Sequence, residues 1–528
     1  MTSLKASAVI ALLLALSACK LGPNYQRPPL DVPGDYRGVA PEAAPSKTAA
    51  PSPLATVPPA AQQTTTPQPQ PQEATPSTPP APATAPQGAA APTQPNQPNQ
   101  PPATPQAQAA GQAGQPFGNT PWTSVFQDEV LQALIKEALT NNYDLRIAAT
   151  RVLQANASLG IVRANQFPTL DGFASETYER NLQLPGAPTY GTLGLNFNYI
   201  VDFWGQYRRA TESARATLLA TEYAREVVRI SLIDSVATNY FALLQYDDQL
   251  EYSKKTVEAD QEILKLNQIK FHGGEAAIID VYQAEVILQQ AEAGVITYQQ
   301  LAEQSENNIS ILLGRNPGPI QRGSNLVDQP HLPEIPAGLP SDLLRRRPDV
   351  RQAEENLVAA NANVGVAKAA FFPQFPITAS FGAQSNALNS FVAGPGTFWA
   401  IAGSAVQPIF QGGRIRSGYR LAWAQRDQAE LQYKQTVQQA FADVSNSLIG
   451  YEQARKYRMK IEEQTQTYAN LVRVSNLRYQ GGYTAFLEVQ YNEQQYFQSA
   501  LLLSQAWYQE LQYYAALYQA LGGGWQQP

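Results

Sequence analysis

Two long stretches of this chain contain no proline, one between Pro188 and Pro317 and the other between Pro408 and Pro528. A proline inside a helix removes a backbone hydrogen bond and clashes with the preceding turn, so its absence leaves room for very long helices. Read as one helix, Tyr207 to Phe271 extends about 98 Å at about 1.5 Å per residue. No globular domain of this size holds such a rod inside. The helix must lie lengthwise against others, and the apolar spacing says how. Leu219, Tyr223, Val227, Ile230, Ile233, Val236, Tyr240 and Leu243 recur in steps of three and four, close to the roughly 3.5-residue repeat of a coiled-coil seam. Val437, Phe441, Val444, Leu448 and Tyr451 repeat the pattern in the second stretch.

That likeness is a duplication. Arg163 to Pro168 (RANQFP) matches Lys368 to Pro373 (KAAFFP) at an offset of 205 residues, and Phe203-Trp204-Gly205 matches Phe410-Gln411-Gly412 at 207. Phe271-His272-Gly273-Gly274 matches Tyr479-Gln480-Gly481-Gly482 at 208. Landmarks kept in order with so little drift mean that one unit occurs twice. Each copy reads as helix, Phe-Pro break, two strand-like runs, glycine turn, long helix, Gly-Gly turn and return helix.

Helix faces away from the seam carry Gln, Asn, Ala, Ser and Thr where a solvated coiled coil interleaves Glu and Lys. Only 15% of the chain is charged, against roughly 25% in an average soluble protein. Neutral polar faces suit helices packed around water, although a plain scaffold rod satisfies the same pattern. The strand-like runs weigh against the rod. Thr169 to Thr177, Thr192 to Ile200, Ile377 to Ala383 and Phe398 to Val406 mix small, aromatic and apolar residues between Gly and Pro boundaries. Leu193-Gly-Leu195-Asn-Phe197-Asn-Tyr199 alternates with period two. Their lengths approach the ~9–11 residues of a transmembrane β-strand. Four strands cannot close a barrel, and lipid tolerates no open edge. If these runs cross a membrane, other chains must complete the sheet. The remaining alternative is a small soluble sheet capping the rods.

The N-terminus reads as an export and anchoring signal. Lys5 supplies a positive start, and Ala8 to Leu16 form an apolar run too short to span a bilayer as a helix, which takes about 20 residues. Leu16-Ser17-Ala18-Cys19 follows, small residues before the single cysteine of the chain, as in a bacterial lipobox whose cysteine is acylated after cleavage. Lys20 stands where enteric bacteria use Asp for inner-membrane retention, so the outer membrane is the expected destination. From Thr48 to Gln127 the only charge is Glu73, and 21 of the 41 prolines lie between Pro41 and Pro116. Such a segment buries too little to offset its ordering entropy and is expected to stay extended as a tether. The expected organisation is signal peptide 1–18, lipidated segment 19–47, tether 48–117, first repeat 118–325, second repeat 326–522 and tail 523–528.

One cysteine and two histidines, His272 and His331, exclude an internal disulfide framework and leave no Cys/His metal cluster. Neither histidine sits in a triad pattern, and no phosphate-cradling glycine loop or nucleophile elbow occurs. A net charge of −6 without a basic block argues against nucleic acid. The residues point away from an enzyme, and no cofactor is expected beyond a covalent lipid on Cys19.

The lipobox, Leu21-Gly-Pro-Asn-Tyr-Gln-Arg-Pro28 after it, Arg345-Arg-Arg-Pro-Asp-Val-Arg351, Arg478-Tyr-Gln-Gly-Gly-Tyr483 and the duplicated order together resemble the TolC/OprM family of outer membrane factors. Within it they are most similar to the NodT-type efflux lipoproteins. The resemblance spans 19–35 and 118–522, with the Pro-rich insert as a departure. It implies a mixed α/β membrane protein: a homotrimer whose four strands per chain build a 12-stranded transmembrane β-barrel, continuous with a long periplasmic α-helical coiled-coil barrel. It also implies a passive conduit for small molecules in a tripartite efflux system. The implied partners are further copies of the chain, a periplasmic adaptor, an inner-membrane pump of RND type and outer membrane lipid. A type I secretion conduit shares that fold. A pore-free scaffold lipoprotein explains the rods but not the strands.

By the same resemblance the Gly-Gly turns form the periplasmic tip, with Phe271, Gly273, Gly274, Tyr479, Gly481 and Gly482 as adaptor contacts. Six residues after the second glycine each copy has a carboxylate, Asp280 and Glu488, matching the constriction acids of the family by position. Leu487 stands at an apolar gate position, and Tyr491 where relatives can have a further aspartate. Six clustered acids in a trimer would favour cations, and crowding would push some of their pKa values up. The alternative is that both carboxylates pair with neighbouring Lys or Arg.

Overall fold

The computed structural model describes residues 20–30, 32, 120–178, 189–329, 340–385 and 396–523. The expected signal peptide, Cys19 and the expected tether lie outside the described residues. After one helical turn, α1 (Trp122–Val125), helices α2 (Glu129–Asn141) and α3 (Tyr143–Ala164) lead to strands β1 (Thr169–Tyr178) and β2 (Thr189–Val201). The chain then runs out along α4 (Gln206–His272) and returns along α5 (Ile278–Leu312). The second half follows with α6 (Pro340–Arg346), α7 (Pro348–Ala369), β3 (Phe375–Ser385), β4 (Thr397–Gly403), α8 (Arg414–Gln480) and α9 (Phe486–Ala520). Helices α4 and α8 are both 67 residues long, and α5 and α9 both 35. Sixty-seven residues reach about 100 Å. Each long helix starts behind a glycine in the left-handed region, Gly205 at φ 73° and Gly413 at φ 84°.

The strands form one antiparallel sheet in chain order, β1-β2-β3-β4. Its register aligns Leu170, Phe197, Ala379 and Ile401 in one cross-strand row, and Gly172, Leu195, Phe381 and Trp399 in the next row on that face. The rows of the opposite face hold Thr169, Asn198, Thr378 and Ala402, then Asp171, Asn196, Ser380 and Ala400. Residues directly opposite in a sheet share a face, so in these rows one face is apolar and the other polar or small; further along, the second face carries Phe173 and Phe398 and the first carries Glu176. The apolar face is bare, with Phe381 62% and Trp399 75% exposed.

Strands β2 and β3 run slightly past their expected ends, whereas β4 stops at Gly403, short of the expected Val406. Proline explains the early stop. Pro376 lies opposite Ser404 and has no N–H to give, so only Ser404 N bonds back to its carbonyl, at 3.1 Å. Pairing then resumes as a single bridge between Gln374 and Val406.

The main core lies partway along the long helices. Ile233, Val236, Tyr240 and Leu243 of α4 pack there with Phe126, Leu131 and Ile135 of the short N-terminal elements and with Trp507 and Tyr514 of α9. Nearer the sheet the expected seam residues Leu219, Tyr223 and Val227 are only half-buried, and Ser213, Ala216 and Ala220 are buried instead. Helix α4 packs on α7 in this region, and small side chains let two helix backbones approach closely.

Sequence motifs near the N-terminus and before α7 find structural work. Arg209, 1% exposed, donates to the carbonyls of Leu21 at 3.0 Å and Gly22 at 3.2 Å and to Asn24 Oδ1 at 2.9 Å. Arg27 Nε donates to Glu354 Oε1 on α7 at 2.7 Å. Burial pushes the Glu354 carboxyl up, but the Arg27 bond and charge outweigh it and hold the group below its usual range. Gly22, at φ 101°, passes so near α7 that a Cβ there would lie 2.5 Å from Gly365 Cα. The Leu21–Pro28 motif is thus a strap stapled across α4 and α7. In the arginine-rich motif, Arg347 is buried and donates to Asp349 at 2.6 Å, Asp443 at 2.9 Å and the Ala520 carbonyl at 3.2 Å. It pins the start of α7 to α8 and α9.

Candidate functional site: the helix-hairpin tips and the seam between them

Both hairpins reverse through the same backbone bonds. Gly274 N reaches the Phe271 carbonyl at 3.0 Å and Glu275 N the Lys270 carbonyl at 2.8 Å; Gly482 N and Tyr483 N repeat this on Tyr479 and Arg478 at 3.0 and 2.8 Å. This is the glycine closure of a helix C-terminus. Gly274 at φ 78° and Gly482 at φ 75° need the missing side chain, whereas Gly273 and Gly481 keep ordinary helical angles. The glycines end the outgoing helices but do not start the return ones, which begin four residues later at Ile278 and Phe486.

Asp280 and Glu488 occupy the same position, the third of their return helices, and do different things. Asp280 Oδ2 accepts from Ala277 N at 3.1 Å and closes the start of α5. Glu488 accepts from Arg478 Nη1 at 3.2 Å and from the Thr484 hydroxyl. Pairing with a neighbouring cation therefore holds for Glu488, while Asp280 bonds backbone. Leu487 and Tyr491 are 61% and 60% exposed and line an open groove between α5 and α9 with Tyr282 and Val286.

Sequence reasoning missed a link between the two tips. Lys270, near the end of α4, bonds the Tyr479 hydroxyl at the end of α8, and its Nζ lies 4.6 Å from the centre of that ring. Tyr479 in turn packs on Phe486 at 5.4 Å between ring centres. Phe271, the counterpart of Tyr479 in the first copy, has no hydroxyl to share and is 38% exposed.

Sequence reasoning also missed a cavity behind the tips, partly open to solvent and lined by α4, α5 and α9. Asp260 is 7% exposed, and its Oδ2 has no hydrogen-bond partner among the described residues; the same holds for Gln490 Nε2. Glu493 lines the same space and accepts from Asn476 Nδ2 at 3.3 Å. Burial, with the neighbouring Glu493, pushes the Asp260 carboxyl up to about 6. Burial pushes Glu493 up as well, against the opposing Asn476 bond. A sequence signal existed: Ser253, Asp260 and Asn267, all buried, follow one another at seven-residue spacing, so the seam of α4 turns polar towards the tip.

Comparison with known proteins bears on these features. The family model described as "Outer membrane efflux protein" matches residues 134–315 and 339–523. The solvent efflux pump outer membrane protein SrpC of Pseudomonas putida is 35% identical over 410 residues, 76% of this chain and 86% of its own. The cation efflux system protein CusC of Escherichia coli O6:H1 is 32% identical over 419 residues, 78% of this chain and 90% of its own. Among solved structures, CusC superposes with a TM-score of 0.73 at 29% identity, covering 79% of this chain and 99% of that one. The outer-membrane channel OprN gives 0.73 at 28% identity, covering 79% and 96%.

Proposed function

This chain belongs to the outer membrane efflux protein family, and from that premise we propose that three copies assemble into a passive conduit of a tripartite efflux system. It is an outer membrane efflux protein; the trimer, the partners and the gate are the proposed part. The observation that carries the reading is the sheet, whose central rows are apolar on one face and polar or small on the other, and which is unpaired along β1 and β4. An apolar face suits lipid and a polar face suits water. Unpaired edges are not tolerated in the hydrocarbon, so copies must join edge to edge until the sheet closes. Two copies make an eight-stranded barrel, whose interior side chains fill. Three make a 12-stranded barrel with room for a channel.

Helices α4 and α8 then extend about 100 Å into the periplasm, and their neutral polar residues suit the wall of a water-filled tunnel. The lipobox supports acylation of Cys19, which, with the strap on α4 and α7, anchors the protomer beside its barrel. The tether 48–117 is a spacer, and 118–325 and 326–522 are the two repeats. The turns at Phe271, Gly273, Gly274, Tyr479, Gly481 and Gly482 meet a periplasmic adaptor, which couples the conduit to an inner-membrane pump of RND type. Asp280 and Glu488 ring the narrow end, with Leu487 and Tyr491 beside them. Opening is a population shift of the tip helices driven by the adaptor, with no chemistry performed by this chain. A wide polar tunnel discriminates little, so the pump chooses the cargo.

Single-channel recording from the detergent-purified protein in planar bilayers tests the reading. Discrete, small, cation-selective steps are expected. No conductance from folded, inserted protein would favour a scaffold, and a large unselective conductance would keep the pore but remove the carboxylate constriction.

A further inference from the structure

The cavity behind the tips joins the two hairpins, because α4 and α5 belong to the first and α9 to the second. Its charged and polar content differs by helix. Helix α4 contributes Asp260 and Thr256; α9 contributes Glu493, with the amides of Gln490, Gln494 and Gln498. Helix α5 adds Gln290 and otherwise only Ala284, Ile287 and Ala291, while Asn476 of α8 reaches Glu493 from behind. Among the described residues no Lys, Arg or His lines it. Two carboxylates thus face a space of about 90 Å³ with no cation to offset them, in surroundings where an unpaired charge is costly. That volume admits a few water molecules at about 30 Å³ each. The cheapest filling is one proton held by the acids, with water meeting the unpartnered Asp260 Oδ2 and Gln490 Nε2.

We propose that this cavity is a proton-binding site that latches the first hairpin to the second: protonated, it keeps the seam shut, and losing the proton loosens the seam and favours an open tip. The site is a property of the single chain, and only its consequence for opening rests on the conduit reading. The sign follows from the direction of the shift. Asp260 titrates near 6 when buried, against an ordinary 3.8, so the closed arrangement binds the proton more tightly. Closure is fully supported at about pH 4, and that support is lost as pH rises through about 6. If the opened cavity is fully hydrated, the open-to-closed ratio rises by up to roughly a hundredfold across that window.

Hydrogen exchange of the intact wild-type and Asp260→Asn proteins, compared at equal pH, tests the site directly. At pH 4.5 backbone amides of α4 and α9 around the cavity are expected to exchange alike in both. At pH 7.5 those of Asp260→Asn are expected to exchange at least tenfold more slowly, because the amide cannot ionise. Equal exchange at both pH values overturns the proposal. So does faster exchange of the variant at both, which marks a merely structural residue. Should Asp260→Asn fail to fold, Glu493→Gln carries the test: removing the neighbouring charge moves the wild-type transition to lower pH, and an unmoved transition overturns the proposal. Channel recordings separate this from the conduit itself. An exchange difference without conductance at either pH supports the site and removes the conduit, whereas conductance whose open fraction ignores pH overturns the link to opening.

Discussion

The first hairpin, α4–α5, and the second, α8–α9, share helix lengths, glycine turns and the position of a carboxylate, yet they are held together by different side chains. On α8, buried Arg458 bonds buried Glu510 of α9, reaches Glu462 at 2.8 Å and lies 4.0 Å over the Trp507 ring. The positions 208 residues earlier are Leu250, Ala302 and Gln299 for Arg458, Glu510 and Trp507, so the first hairpin places apolar side chains where the second buries an ion pair. At the tips Asp280 caps its own helix, while Glu488 takes Arg478. From Thr465 to the end of α8 only Ser475 is buried beyond Thr465 itself, whereas α4 keeps Asp260 and Asn267 inside. Duplication kept the backbone and left the contacts free. A helix length depends on what interrupts it, which a few glycines and prolines decide. A buried contact depends on both sides of an interface, and here α4 sits between neighbours while most side chains at the end of α8 are exposed.

The sharpest way to break this comparison is at the buried pair. Arg458→Ala leaves Glu510 unpaired and is expected to cost about 3–5 kcal/mol, read as a large drop in the denaturation midpoint of the detergent-solubilised protein. The exchange Arg458→Leu with Glu510→Ala copies the first hairpin and is expected to recover most of that loss, because apolar replacement of a whole pair is often near neutral. A double variant as unstable as Arg458→Ala would show that the hairpins differ in packing as well as polarity.

At the tips, Tyr479→Phe gives the second hairpin the ring of the first and removes the Lys270 bond. A loss of about 1 kcal/mol predicts a roughly fivefold rise in open fraction in bilayer recordings. The reverse change, Phe271→Tyr, is expected to alter little. Equal effects from both would mean that the link is not specific to Lys270. The smallest stability effect is expected from the paired acids. Asp280→Asn with Glu488→Gln keeps an acceptor oxygen at each position and removes only the charge from one helix-start bond and one exposed pair, each contributing at most about 1 kcal/mol. Its larger readout is ion selectivity: reversal potentials are expected to show reduced preference for cations, and unchanged selectivity would remove both residues from the constriction.

How much of this was legible before the structure depends on the range of each interaction. The helices expected over Tyr207 to Phe271 and ending at two Gly-Gly turns are observed at Gln206–His272 and Arg414–Gln480, because absent prolines and glycine stops are local facts. Strand positions were legible from alternation, but the end of β4 was not, because Pro376, the residue that interrupts its ladder, lies on a different strand. Leu219, Tyr223 and Val227 looked like core by period, yet the neighbouring helix decided that Ser213, Ala216 and Ala220 face inwards. Asp260 had no signal in the sequence beyond its seven-residue spacing from Ser253 and Asn267.

By itself the sequence determined the kind and order of the principal elements, the reach of the long helices and the places where they turn back, since each follows from periodicity or from punctuation by Gly and Pro. Tertiary structure alone decided that Lys270 meets Tyr479 across 209 residues, that Glu488 is paired while Asp280 caps, and that two carboxylates share a cavity without a cation. Those outcomes depend on which helix lies beside which and in what rotation, and a linear pattern does not carry that information.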